Sequence, residues 1–330
     1  MKSAVEIFSE LGARLATFGS DDASRSAIVR AVAENEWFSV EDILYAVEAV
    51  RREMLDAERL SQWLSHYPSA PSPSPKRVAI IMAGNIPLVG FFDLLCVLAH
   101  GDIPCVKPSS KDRALEEYIE QQLCEIEPLL SIGRYMEGAD YDAVIATGGD
   151  SANLYFRSAF EGTPCLLRGS RHSVAVLSGK EDAVDMKGLV DDIFRHSGLG
   201  CRNVSLVFVP KGYMPKLEMR KMCRAYHNNY RQCRALLSMQ GEKFEDLGAA
   251  LLVRKQAAEF PRFLSQVNIV EYSSLESVQQ WLAANDESLQ CVVSAIDGLH
   301  SRQVPIGKAQ QPTLFDYADE RDTMQFLASI

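Results

Sequence analysis

A cysteine on a glycine-flanked turn is the residue in this chain best placed to act as a nucleophile. Cys201 lies in Arg195-His196-Ser197-Gly198-Leu199-Gly200-Cys201-Arg202-Asn203, between a predicted helix and a predicted strand. A free thiol has a pKa near about 8.5, so catalysis by it calls for positive surroundings or a nearby base. Arg195, His196 and Arg202 are of the right type, although His196 reads equally well as a structural hydrogen-bonding residue. One cysteine among eight is more often a small core residue. The other seven mostly fall inside apolar strand or helix patterns, however, and Cys201 does not.

Three further segments sit where a strand hands over to a helix. Gly84-Asn85-Ile86-Pro87 follows a predicted strand at 78–82 and precedes an apolar helix. Such a turn aims backbone N–H groups and the Asn85 amide above the sheet edge, although a plain helix start would look the same. Val106-Lys107-Pro108-Ser109-Ser110-Lys111 ends the next strand. Pro108 stops further pairing there and leaves Lys107 at the carboxyl end, where α/β sheets bind ligands. Thr147-Gly148-Gly149-Asp150 occupies the same place after a third strand, and its glycines would let a phosphate approach the backbone.

Several familiar motifs are missing: the phosphate-binding GxxxxGK[ST], HExxH and GxSxG. Gly198-Leu199-Gly200 begins like a dinucleotide fingerprint, but Asn203 stands where the third glycine belongs and the run precedes a strand. Cys223, His227 and Cys233 are too loosely spaced for a zinc site, so no metal is expected.

The elements that must position these residues follow from periodicity. Phe8, Leu11, Leu15 and Phe18 give one helical face, and Ser39-Val40-Glu41-Asp42 resembles a capping box opening a long helix toward Leu64. These helices are expected to serve packing or oligomerisation. Four prolines at positions 68–75 make an extended connector, so 1–75 is read as a helical segment plus connector. Strands are then expected at 78–82, 103–106, 142–146, 165–167 and 173–177, with helices at 88–100, 111–126, 151–160 and 184–196. A second α/β unit is expected from Cys201, with strands 204–209, 249–253, 269–272 and 290–295 and helices 217–230 and 275–284. Alternating strands and helices imply βαβ units on a mostly parallel sheet.

The 330 residues, 47% hydrophobic and 24% charged, are typical of a globular chain of about two domains. The net charge of −10 argues against nucleic acid as the main partner. No secretory signal or membrane span is apparent, and eight cysteines without CxxC read as reduced thiols, so a cytoplasmic protein is expected.

Together the segments resemble the aldehyde dehydrogenase superfamily. Asn85-Ile86-Pro87, Val106-Lys107-Pro108-Ser109, Thr147-Gly148-Gly149, Gly198-Leu199-Gly200-Cys201 and the block at 269–295 occur in its order and approximate spacing. Within it, the chain is most similar to LuxC-type acyl-CoA reductases, and Gly307-Lys308-Ala309-Gln310 and Asp316-Tyr317-Ala318-Asp319 fit that branch. The resemblance implies a Rossmann-type cofactor domain at 76–200 and a catalytic domain with a C-terminal tail at 201–330. It implies Cys201 as the nucleophile and Asn85 as an oxyanion-hole donor. Lys107 would hold the adenosine ribose, Ser109 and Ser110 would adjoin it, and Gly148 and Gly149 would lie near the pyrophosphate. Ser110 and Lys111 stand where NAD-preferring members carry an acidic residue, which favours NADPH over NADH. The partners implied are an acyl-CoA substrate, with coenzyme A as its leaving group, and a second copy of the chain.

Two departures bear on activity. Leu167, in Leu166-Leu167-Arg168-Gly169-Ser170, stands where aldehyde oxidisers carry a general-base glutamate, so release to a thiol is expected over hydrolysis. A later ribose-contact glutamate is unmatched, with Phe263 as its nearest remnant. The alternatives are a CoA-acylating aldehyde dehydrogenase, a semialdehyde or acyl-phosphate reductase, or an inactive nucleotide-binding scaffold.

Overall fold

The computed structural model describes residues 2–67 and 74–330, so most of the proline connector lies outside the described residues. The chain forms two compact units, residues 2–170 with 311–330, and residues 171–310.

The first unit opens with four helices, α1 (Ala4–Leu15), α2 (Asp22–Glu34), α3 (Val40–Met54) and α4 (Ala57–Leu64). Ser3, Asp21, Ser39 and Asp56 cap them by accepting a backbone N–H within the first turn. The cap at Asp56 ends the long helix expected through Leu64, because Leu55 leaves helical geometry and a new helix starts. Then follow β1 (Arg77–Ile81), α5 (Phe91–His100), β2 (Ile103–Lys107), α6 (Arg113–Ile126), β3 (Gly133–Arg134), β4 (Ala143–Thr147), α7 (Asp150–Ala159) and β5 (Cys165–Arg168). The five strands pair in parallel in the order β3-β2-β1-β4-β5. Strand order therefore reverses at β1, and the crevice between β1 and β4 at their carboxyl ends is a topological switch point. The N-terminal helices are a layer of this unit rather than an appendage. Phe8, Leu11, Ile43 and Trp63 share one buried core with Ile80, Leu94 and Leu115, and the Phe8 and Phe91 rings meet edge-on at 6.4 Å.

The second unit holds β6 (His172–Val176), α8 (Ala183–Phe194), β7 (Val204–Pro210), α9 (Arg224–Met239), β8 (Glu245–Asp246), β9 (Leu251–Lys255), β10 (Gln266–Tyr272), α10 (Leu275–Ala284), β11 (Leu289–Ser294) and β12 (Gln303–Val304). Its sheet runs β12-β11-β6-β7-β10-β9-β8, parallel except for the β8–β9 pair. The division at Ser170/Arg171 lies upstream of the one expected at Cys201, because β6 pairs with β7 and β11 and so belongs to the second sheet. The helix expected at 217–230 starts instead at Arg224. Leu217 and Met222 are buried but five residues apart, off any one helical face, whereas Ala225, Tyr226, Cys233 and Leu237 share one.

The last twenty residues return to the first unit, where α11 (Thr323–Ala328) packs on α5. Trp63 Nε1 donates to Tyr317 Oη at 2.6 Å, and Tyr67 Oη bonds both Tyr317 Oη and Asp322 Oδ2. Burial pushes the Tyr317 phenol up to about 12, so its hydroxyl stays protonated. Among the described residues no helix is long and apolar enough to cross a membrane.

Candidate active site

In the first unit the carboxyl edge of the sheet gathers the residues expected to hold the cofactor. Lys107 ends β2, is exposed, and places its ammonium 5.1 Å from the centre of the Tyr135 ring. The Lys107 carbonyl accepts Met82 N–H at 3.1 Å, which carries the pairing of β1 and β2 to the edge. Ser109 and exposed Ser110 follow in the loop to α6. Across the switch point, Gly149 is the N-cap of α7 and brings no side chain to the helix's first turn. Gly148 is pinned close to the helix: its N–H donates to Arg168 O at 3.2 Å, and a Cβ there would lie 2.9 Å from Ala152 Cβ.

Asn85 is exposed on the turn leaving β1, between buried Gly84 and buried Pro87. A Cβ on Gly84 would lie 2.5 Å from Ser109 Cβ, so only glycine lets the Asn85 turn and the Lys107–Ser110 loop pack together. The expected helix start at Leu88 falls at Phe91, because Leu88 takes a left-handed conformation with φ +57°.

In the second unit Cys201 is half-buried on the turn before β7. The preceding His196, Ser197 and Gly198 all have positive φ (54°, 57° and 71°), an irregular run of a kind that collects at functional turns. The turn is stapled by Asn203, which the sequence offered only as a missing glycine. Its Nδ2 donates to Arg195 O (2.9 Å), Ile193 O (3.1 Å) and Asp192 O (3.2 Å), and its Oδ1 accepts Gly200 N–H (2.8 Å). Ser173 Oγ, at the start of β6, donates to Cys201 O at 2.9 Å. Asp192 was also missed. It accepts Gly307 N–H (2.6 Å) and Ala309 N–H (2.9 Å), and burial pushes its carboxyl up to about 7. That contact anchors Gly307-Lys308-Ala309-Gln310 against α8, where Gly188 and Gly307 touch too closely for a Cβ. Buried polar side chains aimed at backbone groups carry no motif, which is why neither residue stood out.

The cations expected around the thiol have other bonds. Arg195 Nη2 pairs with Asp191 at 2.6 Å, and Arg202 Nε donates to Ala309 O at 2.5 Å. Lys107 and Lys111 belong to the first unit, whereas Arg195 and Arg202 belong to the second. The described residues hold no His/Cys/Asp/Glu group arranged for a metal ion, and Cys223 Sγ is taken up accepting Tyr226 N–H at the start of α9.

Residues 22–234 match the family described as acyl-CoA reductase (LuxC). The chain belongs to the LuxC acyl-CoA reductase family. This LuxC-family fold is that of the aldehyde dehydrogenases. It is similar to aldehyde dehydrogenase 21 from Physcomitrella patens, solved with its reaction product succinate (TM-score 0.71, 11% identity, 99% of this chain and 84% of that one). A putative aldehyde dehydrogenase from Burkholderia cenocepacia aligns with TM-score 0.65 and 15% identity over 93% of this chain and 79% of the other. The propionaldehyde dehydrogenase of the Clostridium phytofermentans fucose-utilisation microcompartment aligns with TM-score 0.58 and 10% identity over 90% and 78%. A comparison with curated protein sequences finds no match.

Leu167, expected from the sequence to stand at the general-base position of aldehyde oxidisers, packs beside the cluster of Ala79, Ile81, Val144 and Ala146. The next residue, Arg168, is buried and ion-paired with Asp93 at 2.6 Å. Phe263, the expected remnant of a ribose-contact motif, packs against Cys233, Leu237, Leu251 and Val253 in the second unit.

Proposed function

We propose that the chain reduces an acyl-CoA thioester to an aldehyde through a thioacyl-enzyme on Cys201. The Cys201 thiolate attacks the thioester carbonyl, the bond to coenzyme A sulfur breaks, and coenzyme A leaves with the electron pair. The Asn85 amide and the Cys201 N–H donate to the carbonyl oxygen as negative charge develops there, a role whose loss typically lowers rate about 10²–10³-fold. When bound, a reduced nicotinamide supplies hydride to the acyl carbon. The bond to Cys201 sulfur then breaks, releasing aldehyde and regenerating the thiolate. Leu167 provides no base to activate water, so hydrolysis of the thioacyl-enzyme is disfavoured.

The residues at the first sheet edge fit such a cofactor. A parallel sheet reversing at β1, a glycine N-cap on α7 and Lys107 at the end of β2 are what a dinucleotide needs. Lys107 would hold the ribose, Ser109 and Ser110 its surroundings, and Gly148 and Gly149 the pyrophosphate. Ser110 and Lys111 place no carboxylate against a 2′-phosphate, which favours NADPH. The substrate reading extends to a homo-oligomer in the cytoplasm.

The observation that carries the reading is the family match spanning both the Asn85 turn and Cys201. Assaying NADPH oxidation with acyl-CoA, acyl phosphate and free aldehyde tests it. Turnover with acyl-CoA supports it. Turnover with acyl phosphate alone, or no thermal shift with either acyl-CoA or NADPH, overturns it in favour of the alternative reductase or the scaffold.

A further inference from the structure

Two buried side chains from outside the expected site converge on the turn that carries Asn85. The first is Asp112, at the N-cap position of α6. It makes no side-chain bond to its own helix, and Oδ2 instead accepts Leu88 N–H at 2.7 Å across to the β1–α5 turn. Leu88 is the residue with φ +57°, a conformation an ordinary side chain adopts only when its surroundings hold it there. Asp112 is fully buried, and Oδ1 makes no hydrogen bond among the described residues, so the bond to Leu88 is the side chain's one polar contact.

The second is Asn35, which ends α2. Its Nδ2 lies 3.3 Å from both Gly84 O and Lys111 O, so one amide ties the residue before Asn85 to the residue before Asp112. Its own Oδ1 accepts Trp37 N–H at 3.0 Å, fixing which way the amide points. The turn is thus clamped at both ends, Gly84 through its carbonyl and Leu88 through its N–H, with Asn85 exposed between them. The layer of N-terminal helices supplies one clamp, which gives it a role beyond packing.

We propose that Asp112 and Asn35 are positioning residues that hold the Gly84–Leu88 turn, and through it the Asn85 amide, in the geometry needed to stabilise the developing oxyanion. The proposal rests on the oxyanion role of Asn85 given above. A donor displaced by even about 1 Å forfeits much of its effect, up to roughly 10²-fold in rate. Burial and the neighbouring Glu116 hold the Asp112 carboxyl well above the usual carboxylate range. A neutral acid accepting through one oxygen is what asparagine reproduces, so Asp112→Asn keeps the clamp and Asp112→Ala removes it.

The test is single-turnover acylation of Cys201 by acyl-CoA, read as coenzyme A release, with thermal unfolding run on every variant. Asn85→Ala is expected to slow acylation about 10²-fold. Asp112→Ala is expected to slow it roughly tenfold at unchanged acyl-CoA KM, Asp112→Asn to restore it to within about threefold, and Asp112→Ala to add less than about threefold in an Asn85→Ala background. Asn35→Ala is expected to behave as Asp112→Ala does, and it carries the same double-variant test should Asp112→Ala fail to fold. An unchanged rate in the folded clamp variants overturns the proposal. So does full additivity with Asn85→Ala, or a failure of asparagine to rescue. An unchanged rate in Asn85→Ala overturns the oxyanion role itself, which separates the two failures.

Discussion

Replacing Asn203 by aspartate changes one atom of the side chain and should loosen the Cys201 turn. The Asn203 side chain is 6% exposed. Its two amide hydrogens serve three carbonyl oxygens at 2.9, 3.1 and 3.2 Å, and its oxygen takes the Gly200 N–H. In Asn203→Ala these bonds vanish, and at about 1 kcal/mol net for each of three full bonds the loss is roughly 2–4 kcal/mol. In Asn203→Asp a second carboxylate oxygen replaces the donor and confronts the same three carbonyls. An unpaired buried charge raises the loss to about 3–5 kcal/mol. Because two units unfold, the assay must read the second one by itself. Cys233 and Cys291, each 1% exposed, are buried thiols of that unit, so pulse alkylation along a urea gradient with mass-spectrometric readout follows it directly. With a slope of roughly 2 kcal/mol per molar, the Asn203→Asp midpoint should fall by about 1.5–2.5 M. A midpoint within about 0.3 M of the parent would refute the claim that this side chain holds the turn together.

Three further outcomes follow. Glu116 is buried beside Asp112, neither of its oxygens has a hydrogen-bond partner among the described residues, and burial pushes it from 4.5 up to about 8. Its proton is therefore favoured by the fold, so stability falls as pH rises from about 4.5 to 8. Glu116→Gln should flatten that decline, giving a higher Tm than the parent at pH 8.5 and an equal one at pH 4.5; equal values at both would contradict it. Arg168→Met strands the 6%-exposed Asp93 carboxylate and also removes the 2.8 Å bond to Thr323, so chemical denaturation should show a loss of about 3–5 kcal/mol. The double variant Arg168→Met/Asp93→Leu should recover most of this. Lys107→Met should raise the KM for the nicotinamide cofactor roughly tenfold at little change in kcat, as measured by steady-state kinetics.

The sequence made the repeating strands and helices legible because strand 78–82 and its successors are continuous apolar runs of a buried parallel sheet. Their edges were marked by Pro108 and the Gly148-Gly149 pair, residues whose backbone chemistry acts locally. What the sequence could not show were bonds between distant backbones. Asn203, Asp192, Asp112 and Asn35 are ordinary polar residues until the fold brings carbonyls and N–H groups to them. The division between units was misplaced for a related reason. A parallel strand such as β6 is assigned to its sheet by pairing with β7 and β11, far along the chain, and not by its own residues. The start of α9 was missed because Cys223, not a serine or aspartate, caps it.

The central claim is that Cys201 carries the acyl group. The chain incubated with labelled acyl-CoA and no reduced nicotinamide should gain one acyl mass per chain, mapped to Cys201 by peptide mass spectrometry. Adding NADPH should discharge that label as aldehyde, and Cys201→Ala should take up no label and lose reductase activity. Label on another cysteine, or undiminished activity in Cys201→Ala, would contradict the account.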